Sequence, residues 1–224
     1  MPFDEKNGFV QRLKESLPAG PRGLMITSFP FNTALTEEHA FAIRDTAELT
    51  GIRFKSYTIL DGRNSDQACE LVRSADFIIL GGGHVPTQNA FFTEIGLREL
   101  MKDFHGTVMG ISAGSMNAAD VVYAQPEEAG EGTDPAFQKF IPGLDLTKTM
   151  LIPHYQEIRE KILDGKRLFE DITYADSMGR QFIALVDGSY LYSDGMSERI
   201  CGEAYLIRDG SLTKMCEEGE EISL

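Results

Sequence analysis

Through the first half of the chain, short apolar bursts alternate with longer stretches of helical period, and that alternation limits the architectures open to it. Gly23–Ser28 (GLMITS), Arg53–Leu60 (RFKSYTIL), Asp76–Leu80 (DFIIL) and Thr107–Ile111 (TVMGI) are rich in β-branched or apolar side chains. Such runs suit strands buried on both faces. Between them lie Thr36–Leu49, Ser65–Ser74 and Gln88–Lys102, where apolar residues recur three and four positions apart, as Phe91, Ile95, Leu97 and Leu100–Met101 do. Strand–helix alternation implies βαβ units, and so a mostly parallel sheet with helices on both faces. The 224 residues are within reach of one undivided α/β domain, 1–224. A helical pattern, Glu5–Leu17, precedes the first strand candidate, so the expected sheet lacks a strand that such folds usually have at the start.

The second half changes character. Ala124–Pro142 (AQPEEAGEGTDPAFQKFIP) is rich in Pro, Gly and carboxylates and reads as a long surface loop. Thr147–Pro153 resumes as a strand and Glu157–Ile172 as an amphipathic helix. Three close strand candidates follow, Gln181–Val186, Ser189–Ser193 and Glu203–Arg208, with Asp-Gly pairs at Asp187–Gly188, Asp194–Gly195 and Asp209–Gly210. Asp-Gly between apolar runs is a hairpin signal, so an antiparallel C-terminal edge is expected. The acidic run Glu217–Glu221 reads as a solvated tail.

Composition narrows the function classes. Thirty-five acidic against 21 basic side chains leave a net charge of −14, which argues against a nucleic-acid or anionic-membrane surface. Three cysteines, Cys69, Cys201 and Cys216, form no CxxC pair and leave an odd count, as expected of a reduced chain without disulfides or structural zinc. MPFDEKNGFV has no basic region followed by an apolar one, and no stretch approaches a membrane span. A cytoplasmic protein is expected, its oligomeric state open.

The strongest local signal is Gly110-Ile111-Ser112-Ala113-Gly114, between a strand candidate and a helix start of small residues. G-x-S-x-G spells a sharp strand-to-helix turn that lifts a serine to the carboxyl end of a sheet. Its glycines stand where a Cβ would collide with backbone, and the Ala113 N–H can face a developing oxyanion. A serine nucleophile needs a base. Of His39, His84, His105 and His154, only His154 follows Ser112, at the end of the apolar run Met150–Pro153, and open α/β sheets place their sites at strand ends. An imidazole in that role needs a carboxylate to hold its tautomer. Asp187, closing the run Phe182–Val186, is at a strand end of the same kind. The order Ser, His, Asp differs from the Ser, Asp/Glu, His of α/β-hydrolases, so a lipase-like reading loses ground.

A second oxyanion donor is expected from Gly81-Gly82-Gly83-His84, directly after DFIIL, where bare backbone N–H groups make an anion-binding nest. The rival reading, a phosphate cradle, lacks GxGxxG or GK[ST]. No HxxxH, HExxH or clustered Cys/His spacing points to a metal, and no cofactor is implied.

Taken together, GGGH (81–84), GISAG (110–114), IPHY (152–155) and LVDGSY (185–190) resemble the dipeptidase E and cyanophycinase family of serine peptidases over residues 20–210. The resemblance implies a class I glutamine-amidotransferase-like fold: an α/β three-layer sandwich with a mostly parallel, flavodoxin-like sheet and an antiparallel C-terminal edge. It implies a triad of Ser112, His154 and Asp187, and an oxyanion hole of Gly82 or Gly83 with Ala113. Two departures stand out. His84 replaces an asparagine that contributes to substrate recognition, and Asp187 stands where glutamate is common. The acid that meets the substrate amino group falls nearest Glu127 or Glu128, and the arginine that reads an N-terminal aspartate is Arg159 or Arg167, or is missing. His84 itself could touch substrate or be structural. The expected function is serine-dependent hydrolysis of small peptides, most of all N-terminal Asp dipeptides, through an acyl-enzyme. The alternative is a catalytically silent amidotransferase-like module that binds a small ligand or partner. A glutamine amidotransferase proper needs cysteine at position 112.

Overall fold

The computed structural model describes residues 2–224. Its contacts divide into two compact units, Met1–Ala118 and Ala119–Leu224.

The first unit alternates helix and strand: α1 (Phe9–Ser16), β1 (Arg22–Ile26), α2 (Thr33–Leu49), β2 (Ser56–Leu60), α3 (Ala68–Ser74), β3 (Phe77–Leu80), α4 (Val85–Glu94), α5 (Leu97–Met101), β4 (Thr107–Gly110) and α6 (Ala113–Asn117). The strands form one sheet in the order β2-β1-β3-β4, every pairing parallel. All four residues of β3 are buried, and so are four of five in β1, as expected of strands covered on both faces. Leu13, Met25, Ala40, Ala47, Ile52, Phe77, Ile79 and Met109 pack into one core cluster. The strand expected at Arg53–Leu60 begins only at Ser56. The helical run at Gln88–Lys102 starts earlier, at Val85, and is broken by Gly96 at φ 64 into α4 and α5.

The second unit is mostly β: β5 (Val121–Tyr123), β6 (Phe140–Pro142), β7 (Leu151–Ile152), α7 (Tyr155–Ile158), β8 (Ile162–Leu163), β9 (Lys166–Arg167), α8 (Tyr174–Asp176), β10 (Gln181–Leu185), β11 (Tyr190–Ser193), β12 (Glu198–Cys201), β13 (Ala204–Arg208), β14 (Ser211–Cys216) and β15 (Glu221–Ser223). One sheet runs β14-β13-β10-β7, with β7 and β10 parallel and the others antiparallel; β11-β12-β15 form another. The antiparallel strands thus form sheets of their own. Its main core stacks Tyr123 on Phe182 at 4.2 Å and includes Ile152, Tyr155, Phe169 and Ile207.

Two expectations fail here. The helix at Glu157–Ile172 is instead the single turn α7, a hairpin β8–β9 and a π-helical turn, Leu168–Thr173. Asp164 and Gly165, at φ 52 and 77, close that hairpin, because Asp-Gly supplies two consecutive left-handed residues. Asp187–Gly188 is no hairpin turn, since β10 and β11 lie in different sheets. The acidic run Glu217–Glu221 is exposed as expected, and the residues that end the chain form β15, paired with β12 through Arg199↔Ser223 and Cys201↔Glu221. The strand at Thr147–Pro153 contracts to Leu151–Ile152, and β6 emerges within the expected loop 124–142.

Two contacts hold the parallel sheet in phase, and each yields a test. At the amino end, the Arg22 guanidinium donates to Asp76 at 2.9 and 2.7 Å, and the Arg22 N–H donates to the same carboxylate. Chiefly through the Arg22 side chain, the Asp76 carboxyl is held far below its ordinary 3.8. A depressed folded value means the contribution is complete above 3.8 and fades as the pH falls towards the folded value. Asp76→Asn is expected to lower stability by about 1 kcal/mol at pH 7, the partly exposed pair being screened. In urea titrations the gap should begin to narrow as the pH falls below about 4 and keep narrowing to the lowest pH at which the protein still folds; a gap independent of pH would contradict this. At the other end, a Cβ on Gly114 would lie 2.2 Å from the Leu80 carbonyl oxygen. Gly114→Ala should therefore destabilise by about 1–3 kcal/mol in thermal unfolding, and an unchanged midpoint would show that β3 and α6 can part.

Candidate active site

The parallel register carries three residues to one level. Ile26 pairs with Leu80 and Leu80 with Gly110; two residues beyond each stand Ser28, Gly82 and Ser112. At Ser112 the chain turns into α6 with φ 49 and ψ −115, a conformation L residues rarely adopt and one associated with functional sites. Both flanking glycines are required. A Cβ on Gly110 would lie 2.7 Å from the Ser115 backbone, and Gly114 is pressed on Leu80. The turn is closed by Gly114 N–H to Ile111 O at 2.9 Å and by the Ser115 hydroxyl to Ser112 O at 2.6 Å.

Gly82 is the neighbour of this serine. A Cβ there would come within 3.3 Å of the Ser112 Cβ. Gly83 has φ 152, and a Cβ on it would strike Ser28 at 2.6 Å, so the backbone runs bare past Ser112. The Ala113 N–H opens α6, where a helix offers no acceptor of its own. His84 caps α4, its Nδ1 2.7 Å from the Thr87 hydroxyl.

In the second unit, Leu151 pairs with Ile183 and Ile152 with Ala184 in parallel, which brings the following residues, His154 and Asp187, together. His154 Nδ1 lies 2.7 Å from Asp187 Oδ1, with both side chains less than half exposed, 41% and 48%. His154 is itself left-handed, φ 60 and ψ 30, and its carbonyl accepts from Glu157 and Ile158 to start α7. The Asp187 N–H donates to Gln156 Oε1 at 3.1 Å. Burial raises the neighbouring Tyr155 phenol, and the Tyr205 hydroxyl keeps the Glu203 carboxylate ionised below its ordinary range.

The candidate specificity residues are placed unevenly. The Glu127 and Glu128 N–H groups both donate to Glu131 Oε2, and Lys161 Nζ donates to Glu127 O. Asp164 accepts from Gly130 and Gly132, so the β8–β9 hairpin fastens this loop. Of the two arginines, Arg167 is forked onto Asp171, whose carboxyl it holds down at about 2. Arg159 stands 3.5 Å from Glu160. His154, Glu157 and Asp187 also hold three donor atoms within 4.8 Å of one another, a set able to take a divalent cation. The His154 and Asp187 side chains are engaged with each other. A cavity of about 610 Å³ in the first unit opens at the amino end of its strands, around Asp76, His105 and Thr107, away from Ser112.

Reasoning from motifs missed Gln156, Glu157 and a buried group beside Gly81: Ser28, Gln88 and Asn117. Gln88 could have been found as the one polar residue on the buried face Val85, Gln88, Phe91, Phe92 of α4.

Comparison with known proteins follows these lines. The model of peptidase family S51 matches residues 33–201, a span that contains all four motifs. A solved structure from Listeria monocytogenes EGD-e, provisionally assigned as a peptidase E protein, aligns over 92% of each chain at 18% identity and a TM-score of 0.49. No curated protein matches. No helix among the described residues is long and apolar enough to cross a membrane. The family match spans three quarters of the sequence, and on it the chain belongs to peptidase family S51, the dipeptidase E family, and is a serine peptidase.

Proposed function

We propose that the chain hydrolyses small peptides, foremost dipeptides with a free amino end, with Ser112 as nucleophile, His154 as base and Asp187 as its orienting acid. The observation that carries this reading is the backbone of Ser112, φ 49 and ψ −115 at a strand-to-helix turn; such strain is retained where a side chain must be presented. The 2.7 Å contact between His154 and Asp187 supports it, and so does the strand order β2-β1-β3-β4, the flavodoxin-like order, whose ligand sites lie at carboxyl strand ends.

In this reading His154 Nδ1–H donates to Asp187, which leaves Nε2 as the base. The Ser112 hydroxyl gives its proton to Nε2 while Oγ attacks the scissile carbonyl carbon. The carbonyl oxygen becomes an oxyanion, held by the N–H groups of Gly82 or Gly83 and Ala113. The C–N bond then breaks, the leaving amine takes the proton from Nε2, and an acyl-enzyme remains. Water, deprotonated by the same imidazole, attacks the ester carbonyl and releases the acid product and Ser112. A carboxylate of the loop, Glu127 or Glu128, suits a free substrate ammonium. Arg159 is the arginine left for an acidic side chain, because Arg167 is committed to Asp171. The net charge of −14 does not oppose this at contact range, since screening confines charge to about 8 Å. His84, tied to Thr87, borders the oxyanion turn and would contact the substrate from there.

The test is turnover of Asp-Leu, Ala-Leu and N-acetyl-Asp-Leu by wild type and variants, followed as amine release. Ser112→Ala and His154→Ala should abolish cleavage. Asp187→Asn should lower kcat about 10²–10⁴-fold, the loss expected when the imidazole tautomer is no longer held, and Asp187→Glu should keep most of it. The acetylated peptide should resist. Cleavage surviving in Ser112→Ala would end the mechanism. Cleavage of Ala-Leu but not Asp-Leu would keep the machinery and remove the aspartate preference. No cleavage by the wild type would favour the silent binding module.

A further inference from the structure

Against the Gly81–Gly83 turn lies a chain of polar side chains removed from water. Ser28, Gln88 and Asn117 are each 0% exposed. Gln88 Nε2 stands 2.7 Å from the Gly81 carbonyl oxygen and 2.7 Å from Ser28 Oγ, and the Ser28 hydroxyl donates to the same carbonyl at 3.1 Å. Gln88 Oε1 accepts from Asn117 Nδ2 at 3.0 Å. Asn117 also donates to Val85 O, and its own oxygen accepts from Asn89. Every donor meets an acceptor. Turning the Gln88 amide over would set two acceptors face to face at Gly81, so this orientation follows from the network.

A buried amide on an otherwise apolar helix face is costly unless each of its groups is partnered, and α4 could have packed with leucine at position 88. We infer that Gln88 is a positioning residue for the oxyanion-binding N–H of Gly82, an inference that rests on the serine mechanism proposed above. One peptide plane links the two groups. The Gly81 carbonyl and the Gly82 N–H belong to the same planar trans unit and point in opposite directions. Two buried donors hold the carbonyl oxygen inward, which turns the Gly82 N–H outward, and it has no acceptor among the described residues. Gly82 is the residue whose Cβ position comes within 3.3 Å of the Ser112 Cβ. The outward N–H is thus presented beside the nucleophile.

The bond from Asn117 to Gln88 adds a second constraint. Asn117 ends α6, the helix that starts directly after Ser112. One side chain therefore grips the oxyanion turn at Gly81 and the helix behind the serine, and keeps donor and nucleophile in one frame. Such a donor acts in the transition state, where the carbonyl oxygen gains charge, far more than in substrate binding.

Gln88→Met keeps the length and removes the donors; Ser28→Ala removes the weaker donor to Gly81 and the acceptor of one Gln88 N–H, but leaves the stronger donor in place. Two readouts apply: the second-order rate of labelling by a fluorophosphonate probe, which needs no knowledge of the preferred peptide, and kcat and KM on the dipeptide the wild type cleaves best. In Gln88→Met, labelling and kcat should fall together about 10–100-fold, less than loss of a whole oxyanion donor because the N–H is misaimed and not deleted. KM should stay within about twofold, since ground-state binding does not use the donor. Ser28→Ala should show a smaller loss in the same direction. Labelling of folded Gln88→Met at the wild-type rate, or a loss confined to KM, would overturn the positioning role alone. If Gln88→Met does not fold, Ser28→Ala decides, and a wild-type rate there overturns it. A wild type that does not label at all would remove the serine mechanism and this role with it.

Discussion

The in-phase pairing of β1, β3 and β4 is the constraint from which the first unit's chemistry follows. With Ile26, Leu80 and Gly110 abreast, the three chains leave the sheet at one level, and each supplies a different part: a buried hydroxyl at Ser28, bare backbone at Gly82, a strained serine at Ser112. That phase is held sterically at one end, where Gly114 meets the Leu80 carbonyl, and by charge at the other, where Asp76 grips Arg22 and receives its N–H. A one-residue slip would turn every side chain of a strand to the other face. The buried runs Leu24–Ile26 and Phe77–Leu80 therefore make the level of the proposed nucleophile a consequence of core packing.

The second unit solves a similar problem with less strand. Only two residues of β7 pair with β10, yet this suffices to bring His154 and Asp187 into hydrogen-bond contact. Stiffness comes from what surrounds them. Tyr155 packs on Tyr205 and Phe169, Gln156 holds the Asp187 backbone, and His154 is fixed in the left-handed region by starting α7. Two of the residues proposed for catalysis, Ser112 and His154, thus sit in backbone conformations that non-glycine residues avoid. Strain at such places is sustained by the packed structure around it.

Much of this was legible in the residues because steric necessity writes itself in glycine. Gly83, Gly110 and Gly114 stand where a side chain does not fit, and the alternation of buried runs with helices pointed to the parallel sheet. His154, proposed as the base, is reached by elimination among four histidines. What stayed hidden depended on partners far along the chain. Asp164–Gly165 is a hairpin turn inside a stretch whose apolar spacing also suits a helix, and the turn prevails because Leu163 and Leu168 both reach the core of the second unit. Glu221–Ser223 become β15 because β12 offers them an edge, which no local pattern announces. Gln88 was hidden for the opposite reason: a single polar residue on an apolar face says little until its partners are in place.

The central claim is that Ser112 is a chemically activated nucleophile. It is tested most directly by treating the wild-type protein with a fluorophosphonate and locating the adduct by tandem mass spectrometry of its peptides. The account predicts a single adduct on the Ser112 hydroxyl, lost in His154→Ala. An adduct on another residue, or equal labelling without His154, would contradict it.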